Sequence, residues 1–170
     1  MQPGLERLNS LPANEAEAEF GKCCGSTNWA RRMAAECPFA NSNQLITIAD
    51  RVWWLLEPDD WFEAFASHPK IGENKAARAT AAEAQDWAAV EQSGAQNASE
   101  ETVRLLAELN REYEEKFGYI YIVCATGKSS EEMLAILRER LLNDAEKEIC
   151  VAAREQARII KLRLGKLIDQ

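Results

Sequence analysis

Residues 99–127, SEETVRLLAELNREYEEKFGYIYIVCATG, join two unlike kinds of sequence. Up to Gly118 the apolar side chains recur at helical spacing among charges. Glu100 and Glu101 suit the positive end of a helix dipole, and Gly118 is a natural stop. Ser99 is a candidate cap, although Ser99 with Thr102 does not make a full capping box. The second part, YIYIVCA at 119–125, is a continuous apolar and β-branched run between Gly118 and Gly127. It is too short for a helix and predicts an extended, buried segment. No other part of the chain offers it a strand partner. Its N–H and C=O groups must therefore be satisfied elsewhere, and a ligand with amide-like edges is one way to do so.

Helical patterns surround this segment on both sides. KSSEEMLAILRERLLND (128–144), capped by Ser129 or Ser130, and DAEKEICVAAREQARIIKLRLGKLI (144–168) follow it. Upstream, NEAEAEFGKCCGS is helical from Asn14, and STNWARRMAAECP is a short helix ended by Pro38. SNQLITIADRVWWLLEP runs from Ser42 as N-cap to Pro58, with Leu45, Ile48, Ala49, Val52, Leu55 and Leu56 on one face. EPDDWFEAFASHP restarts at Pro58 and stops before Pro69, because the residue before proline avoids the α region. An Ala-rich polar stretch, 73–86, leads to a helix beginning near Trp87 and ending at Gly94. The expected fold is all-α. It is a single-domain bundle of about seven to nine helices over residues 1–170, with one short extended segment near 119–125.

Composition narrows the function. The chain has 170 residues, 46% hydrophobic and 28% charged, with a net charge of -8. One domain of this length buries a core without a staple. The acidic balance argues against nucleic acid and against an anionic membrane surface. A small anionic substrate is still permitted, since one local arginine can bind it. Five cysteines, an odd number with no C-x-x-C spacing, fit reduced thiols in the cytoplasm better than disulfides or a zinc site. No signal peptide and no membrane span is expected.

Few residues offer chemistry. His68 in ASHPKIGEN is the only histidine. It either caps the end of the preceding helix or exchanges a proton near neutral pH. Its place at the negative end of that helix favours the charged form. Glu91 and Gln92 close a helix, as a solvated last turn or as part of a site. Arg163 lies in IIKLRLGKL, apolar over much of its circumference, and either snorkels or reaches into a pocket. Asn143 reads as a helix C-terminal residue. Trp53, Trp54, Trp61 and Phe62 read as core or interface aromatics, and REYEEKFG as a solvated face.

Taken in order, HPKIG, EQSG, KFGYIYIVCATGKS, RERLLNDAEKE and RIIKLRLGKL resemble the OHCU decarboxylase family over roughly residues 9–168. That family acts on 2-oxo-4-hydroxy-4-carboxy-5-ureidoimidazoline in urate breakdown. The resemblance implies an all-α fold, usually dimeric, with no metal and no organic cofactor. It implies that His68 is the catalytic acid, with Pro69 in the same pocket and Glu91 as its acidic companion. Gln92 is then a substrate-binding side chain, Tyr121, Ile122, Val123, Cys124 and Ala125 supply ligand-binding backbone, and Arg163 meets the polar end of the substrate. Ala88 stands where many members carry serine, so a hydroxyl contact is missing. The stretch between His68 and Glu91 is longer and richer in alanine than usual, which bears on a lid over the pocket.

The chemistry suits this set. Loss of CO₂ leaves an electron pair on carbon, which the imine and carbonyl groups of such a substrate can accept without a cofactor sink. The protein must orient the carboxylate, exclude water and deliver one proton. A non-catalytic helical binding module is the alternative. A metal hydrolase is a weaker one, with a single histidine and no paired-His spacing.

Overall fold

The computed structural model describes residues 2–71, 82–95 and 97–170. The expected lid, 73–86, lies outside them as far as residue 81. Among the described residues there are nine α-helices and no strand. They are α1 (Pro3–Ser10), α2 (Ala13–Cys23), α3 (Thr27–Ala35), α4 (Ser42–Trp54), α5 (Pro58–Ala66), α6 (Ala82–Glu91), α7 (Glu100–Phe117), α8 (Ser130–Arg140) and α9 (Ala145–Ile168). A short 3-10 turn, Ser93–Ala95, follows α6. The fold is all-α, and residues 119–125 run between α7 and α8 as a buried, non-helical segment.

Side-chain caps set several helix starts. Ser26, Asn41, Ser99 and Ser129 each accept a backbone N–H of the first turn. Asn41 takes the role expected of Ser42, one residue earlier, through a 2.9 Å bond from the Gln44 N–H. Ser129 forms a complete capping box with Glu132. Gly118 ends α7 in the left-handed conformation, φ 82°, which costs glycine nothing. Helix α6 begins at Ala82, five residues before the expected start, since alanine is the strongest helix former. Helix α1 has no counterpart in the sequence-based reading. Eight residues anchored by Leu5 and Leu8 repeat too few times to show a period.

The chain divides into two compact units. One comprises the residues up to Ala64 together with Ala157–Gln170, and the other is Phe65–Gln156. In the first, Phe20 meets Trp29 edge-on at 5.9 Å and Phe39 at 6.1 Å. Such pairs add about 0.5–1.5 kcal/mol beyond area burial. The buried Trp29 indole donates to the Ala49 carbonyl at 3.2 Å, so its one polar atom is satisfied. Gly4 lies against the carbonyl of Ile168, where a Cβ would overlap backbone. The first helix therefore sits on the last turn of α9. Trp53 is fully buried, whereas Trp54 and Phe62 are exposed.

The second unit has an aromatic core of Phe65, Tyr113, Tyr119 and Tyr121. Tyr113 and Tyr121 lie 5.6 Å apart, and Phe65 and Tyr119 lie 5.3 Å apart. Within it, Arg140 and Glu148 form a buried ion pair. Arg140 Nε donates to Glu148 Oε1 at 2.7 Å, and Asn143 Nδ2 donates to Oε2 at 2.8 Å. The Tyr113 hydroxyl also donates to Glu148. Burial, reinforced by the Glu148 carboxylate, pushes the Tyr113 phenol far above its ordinary range, so it keeps its proton for Glu148 while its oxygen accepts from Arg140 Nη2 at 3.3 Å.

Candidate active site

Every residue of 121–125 is buried, and protein side chains satisfy part of its backbone. Arg140 donates to the Ile122 carbonyl. The Cys124 N–H donates to Glu155 Oε2 at 2.8 Å, and Lys128 Nζ donates to the Cys124 carbonyl at 2.7 Å. The Lys128 N–H closes a turn onto the Ala125 carbonyl at 3.0 Å. The sequence alone left these partners open, with a ligand as one of them. Three charged side chains fill that role for Ile122 and Cys124. The backbone N–H and C=O of Tyr121 and of Val123 make no such bond among the described residues.

His68 follows the end of α5, in the second unit. Its N–H closes the last turn onto the Phe65 carbonyl at 3.2 Å, and Pro69 then prevents the helix from continuing. The half-buried ring places Nε2 2.7 Å from Oε1 of Gln156, a fully buried residue of α9. Gln156 neighbours Glu155, which holds the Cys124 N–H. Two consecutive residues of one helix thus hold both the imidazole and the 121–125 segment.

Glu91 is the last residue of α6 and is 9% exposed, so it is not the solvated turn that its type suggests. Ala88, one turn earlier, is buried and accepts the Gln92 N–H at 3.1 Å. Gln92 is partly exposed. Burial raises the Cys124 thiol above its ordinary value; Lys128 opposes this, and the carboxylates of Glu155 and Glu91 add to it. Both carboxylates therefore lie near enough to bear on the Cys124 thiol. The 3-10 turn behind Gln92 approaches closely too, for a Cβ on Gly94 would collide with the Lys128 carbonyl.

Arg163 belongs to the first unit and is 4% exposed, so its guanidinium does not snorkel to water. It acts there on Cys24, whose thiol burial pushes up to about 12 against the pull of the arginine. All five cysteines are free thiols. Among the described residues no group of three or more His, Cys, Asp or Glu side chains is arranged to hold a metal ion. No helix among them is long and apolar enough to cross a membrane.

Known proteins share this arrangement of elements. A profile of the family described as OHCU decarboxylase matches residues 9–165. The chain belongs to the OHCU decarboxylase family. It is 35% identical, over 90% of its length, to the uric acid degradation bifunctional protein TTL of Arabidopsis thaliana. It spans about half of that relative, 47%. It is 23% identical to the 2-oxo-4-hydroxy-4-carboxy-5-ureidoimidazoline decarboxylase of Haloferax volcanii, covering 95% of this chain and 94% of that one. A crystal structure of OHCU decarboxylase in the presence of (S)-allantoin superposes with a TM-score of 0.78 at 36% identity. The match covers 90% of this chain and 99% of that one.

Against that family background, Gln156, Glu155, Arg140 and Lys128 are the contacts that motif reading did not single out. A signal for the first two was present. In α9, Ala152, Ala153, Ile159, Ile160 and Leu164 form one buried face, and Glu155 and Gln156 fall in phase with it. A polar pair inside an apolar stripe needs partners. Asn143, read as a helix terminus, lies just beyond α8 and braces Glu148.

Proposed function

We propose that this chain decarboxylates 2-oxo-4-hydroxy-4-carboxy-5-ureidoimidazoline to (S)-allantoin in urate breakdown, with residues 1–170 acting as one OHCU decarboxylase-like domain. The observation that carries the reading is the pairing, through Glu155 and Gln156, of the only histidine with the buried 121–125 segment. In the reaction the C–C bond to the carboxylate breaks and CO₂ leaves. The electron pair moves onto the conjugated imine and carbonyl of the substrate, and His68 delivers the proton that closes on that carbon. No cofactor takes part, because the substrate is its own electron sink.

Each remaining residue has a task in this reading. Glu91 orients His68 and favours its protonated form. Pro69 shapes the wall beside the imidazole, and Gln92 binds the substrate next to Ala88, which offers no hydroxyl. The backbone of Tyr121 to Ala125 receives the amide-like edge of the ligand through the groups that protein side chains leave open. Arg163 meets a carboxylate or ureido oxygen with its planar fork of donors. The partners in this reading are the small-molecule substrate and a second copy of the chain, with neither nucleic acid nor membrane. The enzyme works in the cytoplasm, a reading supported by five free thiols.

The test generates the urate-oxidation product in situ and follows allantoin by circular dichroism. An optically active signal should rise faster with the protein than in buffer. Equal rates and a racemic product overturn the proposal. The protein is also expected to be a homodimer, with exposed Trp54, Leu55 and Phe62 available as apolar contact surface. Sedimentation velocity showing only monomer at assay concentration removes that part.

A further inference from the structure

We infer that Gln156 is a positioning residue for His68, taking the imidazole Nε2–H on its amide oxygen and so fixing the ring and its protonated nitrogen. The role in turnover rests on the catalytic reading of His68 given above; the contact itself does not. An amide oxygen only accepts, so the 2.7 Å approach of Oε1 to Nε2 puts a proton on Nε2. That holds for the neutral tautomer protonated there and for the cation. The two residues are 88 positions apart, so the bond is made only by the folded chain.

The far end of the same amide shows what the contact costs. Gln156 Nε2 is buried and donates to nothing among the described residues. An unmet buried donor destabilises a fold. The side chain sits in phase with Ala152, Ala153, Ile159 and Ile160, where leucine or isoleucine would remove the unmet donor and keep the packing. A polar residue held there against stability fits a site where position matters more than packing. Glu155 shares the same turn of α9 and fixes Cys124 through its N–H, so the turn sets the ring and the segment together.

A chain with one histidine makes the test direct, since its imidazole resonances need no assignment. In ¹H–¹⁵N spectra the native protein should show a downfield proton on Nε2, protected from exchange. Gln156→Leu should lose that resonance, and Gln156→Glu, which keeps an acceptor oxygen, should retain it. In turnover, Gln156→Leu should lower kcat on the order of 10–100-fold, as loss of an orienting partner does. KM should change little, and Gln156→Glu should recover much of the rate. Gln156→Leu should melt at or above the native temperature, which a merely structural glutamine would not do. Three results overturn the proposal: a native spectrum with the proton on Nδ1 and a bare Nε2, native kcat in Gln156→Leu, or a lowered melt with the Nε2 proton intact. Full activity in His68→Ala would instead remove the catalytic reading and leave the spectral result standing.

Discussion

His68→Ala is expected to lower the rate of formation of optically active allantoin by about 10²–10⁴-fold, the usual cost of removing a general acid or base. Imidazole is the one side chain whose ordinary titration spans neutral pH, and this chain has a single copy. The ring is held at both ends of its residue, by the turn onto Phe65 and by Gln156. A free surface histidine would have neither restraint. The variant also leaves the buried Gln156 oxygen without its donor, so a stability loss of about 1–3 kcal/mol accompanies the loss of rate. That is within what a domain of this size tolerates, and the assay is run on folded protein checked by a melting curve. Turnover of at least half the native value would end the assignment.

Arg140→Met carries the largest expected effect on stability. Glu148 is fully buried, and its carboxylate meets Arg140, Tyr113 and Asn143. Removing the guanidinium leaves a buried charge without its counter-ion, at a cost of roughly 3–5 kcal/mol. The same substitution takes the donor from the Ile122 carbonyl and so loosens the 121–125 segment. Urea unfolding should show a lower midpoint with little change in slope. Replacing both partners, Arg140→Met with Glu148→Leu, should regain most of the loss, because the orphaned charge is then gone. A single-variant loss below about 1 kcal/mol would mean that water reaches the pair, contrary to its burial.

The outline of the fold was legible wherever one local rule dominated. Helix α7 has acids at its start and glycine at its end, and residues 119–125 are too short and too apolar to be anything but a buried connection. His68, Glu91 and the segment could be named from the sequence because their motifs are ordered along the chain. What sequence reading missed depends on tertiary partners. RERLLND looks like a solvated helix end, yet Arg140 is buried against a carboxylate eight residues on. Gln156 looks like one of many polar residues on α9, and only its phase within an apolar face distinguishes it. Arg163 reads equally well as snorkelling or buried until its exposure is known. Helix α1 is held by the opposite end of the chain, which no local window contains.

That closure has a consequence for synthesis. Helices α1 to α4 leave the ribosome early, but the unit they build also needs Ala157–Gln170. The roughly 90 residues between them take on the order of 5–20 s to translate. During that interval the Gly4 face of α1 lacks the last turn of α9 on which it rests, whereas Phe65–Gln156 is contiguous and can condense as it emerges. Nascent chains halted short of residue 157 would expose the apolar side chains of their earliest helices and become clients for chaperones, so the elements made first are the last to be completed.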